Sequence, residues 1–225
     1  MQSLFPDPIV SSPTLVCLVG GASIAKSDVL SVAERVSAYI AVDSGADHLL
    51  NAGLTPRAVI GDLDSLSRKA RALFADRLCH IEEQSTTDFE KALTRVDAPA
   101  VLGIGFTGGR LDHVLSVLNV MMRHPDRPVV LADREDASFL AHAGDTVLDL
   151  PEATRVSIMP LIPATVTLGG VVWPFDAQPL AVDGFTSPSN AALGGDVTVR
   201  TDAPVLVTLP RAFLPIALQA VSRAG

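Results

Sequence analysis

The chain has 225 residues, 48% of them hydrophobic and 19% charged, and its 25 acidic against 17 basic side chains give a formal charge of −8. That hydrophobic content excludes a disordered chain, and the acidic balance, with no Lys/Arg-rich block, excludes nonspecific attraction to nucleic acid or to an anionic membrane. The length suits one large domain or two small ones.

In chain order, short apolar runs alternate with helical patterns. LVCLVGG (15–21) precedes a helical stretch over 27–37, YIAVD (39–43) precedes 45–52, and AVIGD (58–62) precedes 65–76. His80-Ile81 then precedes 87–96, and AVLGIG (100–105) precedes 110–123. The alternation predicts an α/β domain with a mainly parallel, Rossmann-like sheet, whose strands are continuously apolar because helices cover both faces. Composition changes at residue 145: the rest of the chain holds nine of the sixteen prolines, none of the three lysines and only four basic residues. There RVSIMPL (155–161), TVTL (165–168), DVTVRT (196–201) and PVLVTL (204–209) are separated by Gly169-Gly170, Asp183-Gly184 and Gly194-Gly195. Prolines this frequent suit edges and turns, so an all-β sandwich is expected.

The expected domains are therefore 1–144 and 145–225, with 211–225 read as a terminal helix whose start Pro215 leaves undefined. The segment MQSLFPDPIVSSPT has no basic leader region, no apolar run reaches the roughly 18 residues of a spanning helix, and Cys17 and Cys79 match no disulfide, metal or redox spacing. A cytoplasmic protein, neither secreted nor membrane-bound, is expected.

Aspartates follow the strands of the first half. Asp43 ends YIAVD, Asp62 ends AVIGD with Asp64 two residues on, Asp88 opens a helix, and Asp112 follows the glycine turn after AVLGIG. Strand C-terminal ends of a parallel sheet lie along one edge, so these five carboxylates are expected to converge there. Two like charges about 4 Å apart repel by about 4 kcal/mol at an effective dielectric of about 20, so the cluster must protonate, spread or bind a cation. Oxygen-only donors without a His/Cys pattern favour Mg²⁺. Singly, each aspartate reads as a cap or turn residue; Thr87 and Glu90 in particular fit the N-cap and N3 positions around Asp88. Their joint placement after successive strands favours the cation. Gly20-Gly21 and Gly105, Gly108 and Gly109 suit backbone approach to phosphate, and Arg110 either grips phosphate bidentately or pairs with Asp112 at the surface. The five histidines show no ligand spacing.

AVDSGAD (41–47), IGDLDSL (60–66), QSTTDFEKAL (84–93), GGRLDH (108–113), GGVVWPF (169–175) and TSPSN (186–190) follow one another across both expected domains. In that order they resemble the thiamine pyrophosphokinase family. The resemblance implies a catalytic α/β domain, a β-sandwich that binds thiamine and dimerises, and a homodimer with its active sites between subunits. It implies transfer of pyrophosphate from ATP to thiamine, giving AMP and thiamine diphosphate. The family's metal- and pyrophosphate-binding acids look like Asp43, Asp62, Asp64 and Asp88. Its nucleotide contacts look like Gln84, Thr87, Lys91, Arg110 and Asp112. Ser187, Ser189 and Asn190 look like thiamine contacts, as does Trp173, for which a place in the sandwich core is the alternative. The sequence departs from the family at Ser44 and Asp47, where Gly and Asn are common, and at Leu63, where Phe is usual.

In the implied mechanism Asp62, Asp64 and Asp88 hold Mg²⁺ against the triphosphate, Arg110 steadies phosphate oxygens, and Asp43 or Asp112 polarises the attacking hydroxyl. Two other readings are open: a Mg²⁺-dependent phosphohydrolase, because GDLDS superficially resembles a DxD nucleophile motif, and a catalytically inactive binding module.

Overall fold

A computed structural model describes residues 6–222. Residues 1–5, the start of the segment read as no leader, and 223–225, the end of the expected terminal helix, lie outside the described residues. The chain divides into two compact units, Met1–Val120 and Met121–Gly225. Among the described residues no helix is long and apolar enough to cross a membrane.

Along the first unit run β1 (Val10–Ser11), β2 (Val16–Val19), α1 (Lys26–Leu30), β3 (Tyr39–Val42), α2 (Gly45–Ala52) and β4 (Ala58–Gly61). They are followed by α3 (Arg68–Leu73), β5 (Leu78–His80), α4 (Asp88–Thr94), β6 (Val96–Asp97), β7 (Val101–Ile104) and α5 (Leu111–Arg123), which leads into the second unit. The main strands lie in the order β7-β2-β3-β4-β5, every pair parallel, while β1 pairs in parallel with β6. Every residue of β2, β3, β4 and β7 is buried, the burial expected of strands covered on both faces. From β2 the chain adds β3, β4 and β5 on one side and β7 on the other. Ligands of open α/β sheets bind outside the strand C-termini beside such a reversal. The glycines that close β2 and β7 touch there: a Cβ on Gly20 would lie 2.5 Å from the Gly105 carbonyl oxygen.

Two helical stretches are shorter than their sequence pattern. α1 ends at Leu30, where the Ser31 hydroxyl donates to Asp28 O at 2.8 Å and offers the backbone a partner outside the helical ladder. α3 ends where Phe74, 2% exposed, turns into the core and a 3₁₀ turn, Ala75–Arg77, follows.

Tyr39 lies buried at the start of β3 and donates to Val29 O at 3.0 Å; burial, with a smaller contribution from Cys17, pushes its phenol up to about 12. The folded state therefore holds this proton more tightly than the unfolded chain. Stability is unaffected below pH 10 and falls as the pH rises from about 10 to about 12, by up to about 2 kcal/mol. Tyr39→Phe is expected to remove that part of the alkaline loss in denaturation curves measured across this window.

The second unit contains β8 (Val129–Ala132), β9 (Asp136–Ala141), β10 (Gly144–Leu150), β11 (Arg155–Pro160), β12 (Ala164–Gly169) and β13 (Phe175–Leu180). β14 (Ser187–Ala191), β15 (Gly195–Thr201), β16 (Val205–Pro210) and α6 (Leu214–Ser222) complete it. Its strands form two antiparallel arrays, β14-β11-β16-β9-β8 and β10-β15-β12-β13. Alternate residues are buried, as in β16 with Val205, Val207 and Leu209 and β15 with Val197 and Val199, so each array packs one face inward.

The packing division at Val120/Met121 falls earlier than the composition change at 145, because β9 pairs with β16 along its whole length and β8 with β9. The second unit is also not all-β. α6 follows a 3₁₀ turn, accommodates Pro215 in its first turn, and buries Leu214, Ala217 and Val221 against β8, β9, β10 and β16.

Candidate active site

Each acid is delivered by the end of a buried strand or the start of a helix. Asp43 follows β3 at φ 47° and is 8% exposed; Asp62 follows Gly61, the last residue of β4; Asp88 opens α4 behind its N-cap Thr87. One carboxylate oxygen from each of Asp43, Asp62 and Asp64 lies within 4.8 Å of the other two. Asp88 joins them through its Oδ1, which accepts from the Asp62 N–H at 3.2 Å. Gly61 makes the approach possible: a Cβ there would meet Asp43 Cβ and Asp88 Oδ1, both at 3.2 Å. The turn is closed by Asp64 N–H donating to Asp62 Oδ1 at 3.2 Å and by Ser65 Oγ donating to Asp64 at 2.7 Å. Leu63, between the two acids, is 3% exposed, so its departure from the usual Phe is a matter of packing.

Lys91, one turn into α4 and 1% exposed, reaches the same group, with Nζ 3.0 Å from Asp88 and 3.9 Å from Asp62. The ammonium thus reaches two of the four carboxylates. Burial first, and then the like charges of Asp88, Asp64 and Asp62, push the Asp43 carboxyl above the usual carboxylate range, against a backbone hydrogen bond at Ser44 that lowers it. Asp43 Oδ1 is buried and accepts no hydrogen bond. A buried carboxylate oxygen without a donor, grouped with further carboxylate oxygens and with no histidine or cysteine in the cluster, fits a hard divalent cation such as Mg²⁺.

Thr87 Oγ1 accepts from Glu90 N–H at 3.3 Å, the capping role read from the sequence, while Asp88 does more than complement the helix dipole, since it takes hydrogen bonds from Asp62 and Lys91. Gln84 is exposed on the loop before α4, its amide donating to Glu82 O at 3.3 Å. Glu83 was not singled out by sequence, yet it orders this loop: its carboxylate accepts from Ser85 N–H at 3.0 Å, Ser85 Oγ at 2.5 Å, and Thr86 N–H and Oγ1. The two hydroxyls, followed by the two amides, hold Glu83 down to about 2. Two hydroxyl residues two and three places after an acid are the signal that could have found it.

Asp112 does not join the acids. Both its oxygens accept from Arg110, at 2.6 and 3.2 Å, in an exposed bidentate pair, so four carboxylates converge and not five. Arg110, expected either at phosphate or in this pair, is in the pair, and its guanidinium holds the Asp112 carboxyl below the usual range.

In the second unit, Asn190 is 3% exposed and Ser187 8%, whereas Trp173 is 63% exposed and therefore not a core residue. The Asn190 amide clasps the backbone of Trp173, accepting from its N–H at 3.2 Å and donating to its carbonyl at 2.8 Å. Ser189 stands at φ 59°, its N–H donating to Ser157 Oγ at 3.1 Å. The TSPSN segment thus fixes the backbone of the loop between β12 and β13 that presents the indole.

Residues 29–131 match the family model of the thiamin pyrophosphokinase catalytic domain, and residues 145–206 that of the thiamin pyrophosphokinase vitamin B1 binding domain; together they cover most of the chain. Thiamine pyrophosphokinase 1 of Arabidopsis thaliana is 26% identical over 173 residues, which span 68% of this chain and 65% of that relative, just under two-thirds of its length. Thiamine pyrophosphokinase of Bacillus subtilis is 26% identical over 187 residues, 79% of this chain and 82% of its own. The crystal structure of the thiamin pyrophosphokinase of Geobacillus thermodenitrificans superposes with a TM-score of 0.75 at 26% identity, covering 88% of this chain and 97% of that one. With both family models matched in their order, and the acids gathered at the strand ends of the segment the first model covers, this chain belongs to the thiamin pyrophosphokinase family.

Proposed function

We propose that the protein is a thiamine diphosphokinase, transferring the pyrophosphoryl group of ATP to the hydroxyethyl oxygen of thiamine to give thiamine diphosphate and AMP. The observation that carries the reading is the buried, donor-free Asp43 Oδ1 within an all-carboxylate trio. Asp62, Asp64 and Asp88, with Asp43, would hold Mg²⁺, which when bound neutralises the triphosphate and its leaving group. The thiamine oxygen forms its bond to the β-phosphorus as the bond to the α-phosphate oxygen breaks, and the hydroxyl proton leaves toward a carboxylate. Asp43, whose carboxyl burial and like charges push up, is one acceptor for that proton, and Asp112, released when Arg110 turns to phosphate, is the other.

Arg110 exchanges its exposed pair with Asp112 for phosphate oxygens at little cost, since water screens a surface pair and competes for both of its groups. Gln84 and Thr87 meet the nucleotide from the loop that Glu83 orders. Lys91 acts on the nucleotide through the acids it pairs with. Thiamine is cationic, so the acidic site favours its approach.

Residues 1–144 form the catalytic part and 145–225 the part that binds thiamine and dimerises, within a cytoplasmic homodimer whose active sites lie between subunits. The exposed Val172, Trp173, Val182, Phe185 and Leu193 of the second unit support a covered face there. Trp173 stacks on thiamine, positioned by Asn190. Trp173→Ala is expected to raise the KM for thiamine about 10-fold while leaving that for ATP within about 2-fold, because an aromatic contact with a cation contributes roughly 1–2 kcal/mol. An equal rise in both would remove the indole from thiamine recognition. For the activity itself, the protein is incubated with Mg-ATP and thiamine and the products resolved. AMP formed in step with thiamine diphosphate is expected; free phosphate without AMP, or ligand binding without product, would overturn the assignment.

A further inference from the structure

We propose that Asp47 is a positioning residue for the acid trio: from α2 it holds, through Ser67 and Arg71, the turn that carries Asp62 and Asp64. The inference rests on the Mg²⁺ reading above and deepens it. Asp47 lies in the first turn of α2, four residues after Asp43. Its Oδ2 accepts from the Ser67 N–H at 3.2 Å and its Oδ1 from the Ser67 hydroxyl. Both Ser67 groups act as donors here, and a carboxylate supplies the two acceptor oxygens they need. Ser67 is also the N-cap of α3, its Oγ accepting from Ala70 N–H at 3.1 Å, so Asp47 fixes where α3 begins. One turn further on, Arg71 donates from Nη2 to Leu63 O, the carbonyl between Asp62 and Asp64.

That carbonyl belongs to a costly piece of backbone. Leu63 stands at φ 64°, in the left-handed region that favours glycine, and such a conformation persists only where its surroundings hold it. The surroundings are the buried Leu63 side chain, Arg71 on the carbonyl, Asp88 on the Asp62 N–H, and Asp47 at the far end through Ser67. Residues 43–47 and 62–67 each carry acids of the trio, and the Asp47–Ser67 pair is a side-chain link between them. With that link cut, α3 loses its fixed start, Arg71 its register on Leu63, and the Asp62 and Asp64 oxygens their spacing relative to Asp43.

The test titrates Mn²⁺ alone into wild type, Asp47→Ala and Asp47→Asn, following water proton relaxation, and measures half-saturating Mg²⁺ in the AMP assay alongside. Outer hydrogen-bond partners of metal ligands typically alter affinity by about 10–100-fold. Asp47→Ala is expected to bind Mn²⁺ on the order of 10-fold more weakly and to need correspondingly more Mg²⁺, with kcat at saturating Mg²⁺ within about 2-fold of wild type. Asp47→Asn keeps one acceptor oxygen for the Ser67 N–H and is expected to recover most of the loss. A folded Asp47→Ala protein with wild-type Mn²⁺ affinity overturns the proposal, and so does one that loses kcat at saturating Mg²⁺ with its Mn²⁺ affinity unchanged. Wild type that binds no Mn²⁺ overturns the metal reading itself, and the proposal falls with it. Should Asp47→Ala not fold, Arg71→Gln cuts the same path at Leu63 O and replaces it, with the same expected and overturning results.

Discussion

Asp62→Asn and Asp64→Asn proteins are expected to fold like the parent and to form AMP at less than about a thousandth of its rate, a loss of about 4 kcal/mol in transition-state stabilisation. Asparagine matches aspartate in shape; at 62 its carbonyl oxygen can still accept from the Asp64 N–H. What disappears is charge. Carboxylates with oxygens within 4.8 Å repel by at least about 3.5 kcal/mol per pair at an effective dielectric of about 20. The metal-free Asp62→Asn protein should therefore melt no lower than wild type, and up to a few degrees higher, while the rise in Tm that Mg²⁺ confers on wild type should be absent. Activity followed by AMP release, circular dichroism, and melts in EDTA and in Mg²⁺ check each part. Near-normal turnover at saturating Mg²⁺ would remove these two residues from the mechanism.

Lys91→Met is expected to move stability the other way. Methionine fills nearly the same volume, so packing is retained and the cation alone is lost. Lys91 is 1% exposed and its ammonium is the compensating charge that the structure places on Asp88 and Asp62. Removing one member of a buried ion pair costs about 3–5 kcal/mol; with 28% and 21% of the two aspartate side chains still exposed, the lower end, about 3 kcal/mol, applies here. For a chain of this length that lowers Tm by about 6–12 °C in EDTA. Added Mg²⁺ should restore part of the loss, because a dication supplies the missing positive charge. Opposite shifts for Asp62→Asn and Lys91→Met in EDTA follow from charge repulsion and not from packing, which would lower both. A Lys91→Met melt unchanged in EDTA would mean that the ammonium does not compensate the acids.

Much of the first unit is legible in the sequence because its determinants are local. The runs that become β2, β3, β4 and β7 are apolar throughout, and a buried parallel strand needs no other signature. Asp43 and Asp62 are placed by adjacency, each following the last residue of its strand, so their meeting at one sheet edge follows from chain order. Strands that owe their form to neighbours left no such pattern. β13 (FDAQPL) and β14 (SPSNA) are polar, contain proline and lie at the ends of their arrays, where ladder hydrogen bonds to β12 and β11 make them strands.

The sequence by itself pointed to Asp43, Asp62, Asp64 and Asp88 and to the elements on which they stand, since period and chain neighbourhood settle that, but it also counted Asp112 among them. Only the tertiary structure decided how their charge is managed. It buried Lys91 against Asp88 and Asp62, left Asp43 Oδ1 without a donor, turned Asp112 to Arg110, and set Trp173 outside the core on the Asn190 amide. Those outcomes depend on distances between groups far apart along the chain and on how much water each retains. Electrostatic energy varies with both, whereas residue type and spacing specify neither.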